Sequence, residues 1–214
     1  MSRHRLSHNR GAGNRHQQPG HAEAGHGHPA HGNQSQRGQE LRYELVDGFP
    51  QAMTGARRRH DIARGNADGY LRTVLRAAGQ GCLPFGQDIG IQVYPGQLRR
   101  RELSVQRPPF DMEDMVSSTP RLRLEVLSDS TRRVDEYVKP DEYKGIASLD
   151  YIIPMSTRDV DVAVWSRDAL GEWQRSRYLA SADVIPLPVL GVSLPLAVLY
   201  EGIDVRPEWA KAVA

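Results

Sequence analysis

Residues 121–144, RLRLEVLSDSTRRVDEYVKPDEYK, govern how the rest of the chain is read. The segment opens as a strand. Leu122, Leu124 and Val126 alternate with Arg121, Arg123 and Glu125, the period-two pattern of a sheet with one buried face. Ser128-Asp129-Ser130-Thr131 then offers side chains able to cap a helix N-terminus. Asp135, Lys139 and Tyr143 follow at i, i+4 and i+8, so a helix would carry them on one face. A carboxylate on the polar side of a strand thus precedes an aspartate and a lysine on the next element. Metal-dependent phosphodiester cleavage needs that grouping: acidic oxygens for a hard cation and an ammonium near the attacked phosphate. Spacing alone equally fits a salt-bridged strand face followed by a solvated helix pair.

Working outward, Tyr43–Val46, Asp47-Gly48 and the residues from Phe49 to Met53 read as a hairpin on an Asp-Gly turn. From Arg58 to Ala78, Ile62, Ala63, Ala67, Tyr70, Leu71, Val74 and Leu75 recur at helical spacing, and Gly79–Gly81 ends the helix. Gly65 and Gly69 inside it suggest close packing against a sheet. Leu83–Val93 reads as one strand bulged around Gly86 and Gly90. Pro95-Gly96 turns the chain, Leu103 and Val105 mark the next strand, and residues 107–120 form a loop. After the central segment, strands are expected at Tyr151–Ile153, Val160–Val164, Trp173–Leu179 and Leu190–Leu194, with a helical turn at Leu196–Tyr200. This C-terminal half carries no chemistry. Its apolar pattern reads as scaffold and as a candidate dimer surface.

A chain of 214 residues can bury one core. The excess of Lys+Arg (28) over Asp+Glu (26) is only +2, so nucleic-acid binding would rely on local patches such as Arg57-Arg58-Arg59 and Arg99-Arg100-Arg101. Cys82 is the sole cysteine, which excludes an internal disulfide and a thiolate metal cluster and implies a reducing, cytoplasmic setting. The most apolar stretch, 184–200, contains Pro186, Pro188 and Pro195 and makes a poor membrane helix. Residues 1–40 hold seven of the eight histidines and almost no large apolar side chains, so they read as a disordered His/Gly/Gln-rich tail. His26, His28 and His31 could bind a transition metal, but the tail also fits an upstream extension from a misplaced start codon. The expected domain is 41–205, with a short tail at 206–214.

Glu125-Val126-Leu127-Ser128, Ser130-Thr131, Asp135, Lys139 and Tyr143 resemble the signature of the Uma-two family, restriction-endonuclease-like proteins of the PD-(D/E)XK nuclease superfamily. The resemblance runs in order from Arg42-Tyr43-Glu44-Leu45-Val46-Asp47-Gly48 to Leu194-Pro195-Leu196 and Leu199-Tyr200-Glu201-Gly202. It implies an α/β (α+β-like) fold: a mixed central sheet flanked by helices, with an N-terminal hairpin and C-terminal strands. It also implies a Mg²⁺- or Mn²⁺-dependent DNA endonuclease. Glu102 and Glu125 would hold the one metal ion, with Lys139 and Glu44 as further catalytic residues. Asp135, Tyr143 and Asp88 would support them. His60, with Arg57, Arg58, Arg59, Arg99, Arg100 and Arg101, would contact DNA.

Three departures from the family matter. Where the family has Pro-Asp-Val, with the aspartate as metal ligand, this chain has Arg101-Glu102-Leu103. Many nucleases of the superfamily carry the lysine two residues after the strand glutamate; here that position is Leu127, and Lys139 is the family's substitute. Pro140 disfavours a helical conformation at Lys139, so the helix should kink or restart there. These departures leave open a second function: the same fold without cleavage, acting as a nucleic-acid-binding or interaction module.

Overall fold

The hairpin forms where the Asp-Gly pair places it. Strands β1 (Tyr43–Val46) and β2 (Phe49–Ala52) pair antiparallel, with Val46 opposite Phe49. Asp47 (φ 50°) and Gly48 (φ 82°) close them with two left-handed residues, whose twist matches that of the flanking strands. The computed structural model describes residues 43–52, 57–100, 102–117, 119–127 and 139–205. The expectations for the tails 1–40 and 206–214, the Ser128–Thr131 cap, Asp135 and Arg101 fall outside these residues.

Helix α1 (Arg58–Ala78) buries Ala63, Ala67, Leu71 and Leu75, one residue per turn, and ends at left-handed Gly79. Gly65 and Gly69 do not serve close packing. A Cβ at either would meet nothing within 4 Å, and both lie on the exposed side, as does Ile62. The two alanines supply the small surface that approaches the sheet.

The single bulged strand expected over 83–93 is two strands in two sheets. β3 (Leu83–Phe85) edges a six-stranded sheet, while β4 (Gly90–Tyr94) lies in a five-stranded one. Gly90 permits the approach of Leu98, whose Cδ1 would stand 2.9 Å from any Cβ there. The Pro95-Gly96 turn leads into β5 (Gln97–Arg99), which the sequence pattern does not reveal. β6 (Leu103–Gln106) follows. The expected 107–120 loop contains a two-residue strand, β7 (Val116–Ser117), before β8 (Pro120–Val126).

Helix α2 (Lys139–Lys144) contains both Lys139 and Pro140, so the proline does not keep Lys139 out of the helix. Then come β9 (Tyr151–Met155), β10 (Val162–Arg167) and β11 (Trp173–Tyr178). The last described elements are β12 (Val184–Leu187), a 3-10 turn at Pro188–Leu190, β13 (Val192–Pro195) and α3 (Leu196–Leu199). The expected Leu190–Leu194 strand is therefore one arm of a separate two-stranded sheet.

The six-stranded sheet has the order β11-β10-β9-β8-β6-β3 and is mixed, because β8 and β9 run parallel. The five-stranded sheet has the order β2-β1-β5-β4-β7. One face of the six-stranded sheet presents Leu103, Val105, Leu122, Leu124, Val126 and Ile153 to α1 and the C-terminal segment, forming the main core. The other face meets a small cluster of Tyr143, Leu149 and Ile152. Strand β8 is consequently buried on both sides. This corrects the expectation of one buried and one polar, exposed face: Arg123 is 0% and Glu125 5% exposed. A central strand between β9 and β6, covered on each face, has no solvent side to offer its charged residues. Among the described residues no helix is long and apolar enough to cross a membrane.

Candidate active site

Antiparallel pairing sets Leu103 opposite Leu124. Glu102, the residue before this pair, lies against α1 through His60 and within electrostatic reach of Glu125. Glu125 Oε1 accepts hydrogen bonds from Arg123 Nε (3.0 Å), Arg123 Nη2 (2.8 Å) and the Tyr143 hydroxyl (3.2 Å). Arg123 Nη1 donates to the Leu103 carbonyl at 3.0 Å, and its guanidinium lies 5.7 Å from the Tyr143 ring centre. Burial pulls the Arg123 guanidinium below its ordinary value, while Glu125, Glu102 and Glu44 pull it back up. Three carboxylates therefore lie within electrostatic reach of one buried cation, and Glu125 touches it.

Glu102 lies 3.4 Å from His60 Nε2, both side chains 13% exposed. Burial pushes its carboxyl up to about 7, the negative charge of Glu125 adds to this, and Arg123, Arg64 and Lys139 oppose it. Two carboxylates held in one poorly solvated place repel each other, and neutralising one of them relieves the repulsion.

The five-stranded sheet supplies the other side. Arg99 Nε and Nη2 fork onto Glu142 at 2.9 and 2.7 Å, and Nη1 donates to Glu44 Oε2 at 3.2 Å. Glu44 Oε1 is buried and accepts no hydrogen bond from the described residues; Lys139 Nζ is 4.0 Å from it. Burial lowers the Arg99 guanidinium, but Glu142 and then Glu44 more than offset this and raise it.

Glu44, Glu102, Glu125, Lys139, Tyr143 and His60 are thus brought together by direct contact or mutual electrostatics. Asp88 is not among them: it is exposed, and its carbonyl accepts from Arg100 Nη1 at 3.1 Å. Arg57, Arg58 and Arg59 are exposed at the start of α1, immediately before His60. Arg99 requires a correction. It is buried and engaged by Glu142 and Glu44, so it does not face solvent as a phosphate contact would. Arg101 and Asp135 lie outside the described residues. Leu127, at the superfamily's usual lysine position, is buried and donates its N–H to Met155.

The sequence reading missed Arg123, Glu142 and Gln97. The alternation of β8 makes Arg123 a polar strand-face residue. Its signal was the charge itself on a strand followed by apolar Tyr151-Ile152-Ile153, which implied a central position. Glu142 and Gln97 gave no signal, because their roles depend on β5.

As a metal site the carboxylates fit in type. Among the described residues no three His, Cys, Asp or Glu side chains gather as a metal-binding group. Glu102 and Glu125 offer oxygen donors, and a divalent charge between them would offset their repulsion. Mg²⁺ is commonly held through one or two carboxylates while keeping several waters, so a protein pair of this kind suffices.

A family profile described as "Uma2: Putative restriction endonuclease" matches residues 31–198. An uncharacterized protein of Synechocystis sp. (strain ATCC 27184 / PCC 6803 / Kazusa) is 28% identical over 167 residues, spanning 77% of this chain and 86% of that protein. A crystal structure of a protein from Anabaena variabilis ATCC 29413, titled "a putative nuclease belonging to DUF820", superposes with a TM-score of 0.63 at 11% identity. It covers 76% of this chain and 92% of its own. At that identity the likeness establishes the fold, which is the restriction-endonuclease-like one.

Proposed function

The chain belongs to the Uma2 family of restriction-endonuclease-like proteins, and from that premise we propose that it is a divalent-metal-dependent endonuclease acting on DNA. The observation that carries the proposal is the gathering of Glu102 and Glu125 within electrostatic reach of each other in a poorly solvated place, with Lys139 and Glu44 adjoining. Glu102 and Glu125 would hold Mg²⁺ or Mn²⁺. Such an ion supplies Lewis acidity, lowering the pKa of a water and neutralising charge on the attacked phosphate. Lys139 Nζ stabilises the negative charge that develops on the phosphate oxygens. Glu44 Oε1, buried without a hydrogen bond from the described residues, is the acceptor placed to take a proton from the attacking water. Tyr143 and Arg123 hold Glu125 in place through Oε1, and His60 sits against Glu102. Arg57, Arg58 and Arg59 position the duplex through its phosphates without reading its sequence.

One observation favours a second reading. Glu125 Oε1 already takes three donors, and an arginine beside the site supplies the positive charge a metal would bring. A DNA-binding module without cleavage would have that character. Supercoiled plasmid incubated with the full chain in Mg²⁺, Mn²⁺ or EDTA separates the two. Metal-dependent nicking that is lost in Glu102→Gln and in Lys139→Ala supports the nuclease. Binding that is unaffected by EDTA, with no nicking in any metal, supports the module.

A further inference from the structure

The lysine of this site sits on a six-residue helix that begins with the lysine itself, next to a proline. A helix that short has little stability of its own, so tertiary contacts must fix its direction. At its C-terminal end Arg167 Nη2 and Trp173 Nε1 donate to the Lys144 carbonyl at 3.1 and 3.3 Å, and further contacts grip Glu142 and Tyr143. Tyr143 ties α2 to Glu125 of the six-stranded sheet. Glu142, the preceding residue, is gripped by the five-stranded sheet: Arg99 forks onto both of its oxygens, and Gln97 Nε2 donates to Oε1 at 3.2 Å. Gln97 is itself fixed, because its amide oxygen accepts the Asp47 N–H of the β1–β2 turn at 2.8 Å. The remaining arm of Arg99 holds Glu44 Oε2, leaving Oε1 toward Lys139.

We propose that Arg99, steadied by Gln97, is a positioning residue: one buried guanidinium sets Glu44 and the Lys139-bearing helix relative to each other. The planar fork suits this task, because two parallel N–H···O bonds fix orientation as well as distance. Arg99 is itself buried, with its guanidinium engaged by Glu142 and Glu44. It acts through Glu142, three residues along α2 from Lys139, and through Glu44. This role rests on the nuclease reading for its consequence, though the latch itself is a property of the fold.

The test combines kinetics with amide exchange on the full chain. Glu142→Ala should lower kcat on plasmid by about a hundredfold, the scale on which a misplacement near 1 Å acts, with KM for DNA unchanged. In a Lys139→Ala background the same substitution should cost nothing further, because the two residues act as one unit. Amides of residues 139–144 should exchange faster in Glu142→Ala and in Arg99→Lys, which keeps the charge but loses the fork. Additive losses in the double variant, or unchanged exchange at 139–144, would overturn the proposal. Should Glu142→Ala fail to fold, Arg99→Lys carries both arms. If the wild-type chain cuts under no metal, the nuclease reading falls, and the exchange arm alone still decides whether the latch exists.

Discussion

The two faces of strand β8 are equally hidden from water and chemically opposite. Leu122, Leu124 and Val126 pack into the main core against α1, while Arg123 and Glu125 point the other way, under α2 and Tyr143. The apolar face gains stability from burial, roughly 1.5–3 kcal/mol for each large side chain. The charged face loses hydration on burial and recovers it only through the fork of Arg123 onto Glu125, its bond to Leu103 and the Tyr143 hydroxyl. A chain needing only a scaffold would have little reason to keep the second face charged, since apolar residues of similar volume are often at least as stable. The contrast separates what holds the sheet together from what the sheet holds in place.

Substitutions can break this contrast in graded steps. The largest effect is expected for Arg123→Ala, which strips Glu125 of its cation and should destabilise the fold by about 3–5 kcal/mol in urea denaturation. Replacing both charges, Arg123→Met with Glu125→Leu, should recover most of that loss while plasmid nicking stays absent. A double variant no more stable than Arg123→Ala would show that the charged face is needed for folding itself. Leu124→Ala on the opposite face should cost about 2–5 kcal/mol, with nicking per folded molecule retained. If nicking vanished there, the two faces would not be separable.

Next in size is a pH effect. The Glu102 carboxyl is raised from 4.5 to about 7 in the fold, so the folded state binds a proton that the unfolded state releases. Its contribution is fully present below pH 4.5 and is lost as pH rises through about 7. The loss is on the order of 3 kcal/mol measured against Glu102→Gln, which lacks the titration. Saturating Mn²⁺ should flatten that dependence, because metal and proton compete for the same carboxylate. Parallel pH profiles for the wild type and Glu102→Gln would remove Glu102 from the account. The smallest effect is expected for Asp68→Ala. Its i, i+4 pair with half-exposed Arg72 on α1 should be worth only a few tenths of a kcal/mol and nothing in nicking.

Particular elements show how far the sequence could be read. The α1 boundaries, the Asp-Gly hairpin and the β9, β10 and β11 region follow from local periodicity and turn chemistry, which act over a few residues. The split of 83–93 between two sheets was hidden, because Gly86 and Gly90 suit a bulge and a crossing equally well. At the site, spacing drew attention to Glu125, Lys139 and Tyr143, and the resemblance added Glu102 and Glu44. It could not show that Arg99, one of three consecutive arginines, is buried while Arg57, Arg58 and Arg59 are exposed. Arginine runs look alike in one dimension.

Family, helix and most strands are legible in the linear chain, because apolar periodicity, turn residues and an ordered motif series are local or linear properties. Which charges are buried, and with whom, emerges only when the sheets and helices pack. The assembled fold brings Glu102 within electrostatic reach of Glu125, makes Arg123 a buried partner, and joins Arg99 to Glu142 and Glu44 across 43 and 55 residues of chain. The energy of a buried charge depends on what stands within a few ångströms of it, and that neighbourhood exists only once the sheets have formed.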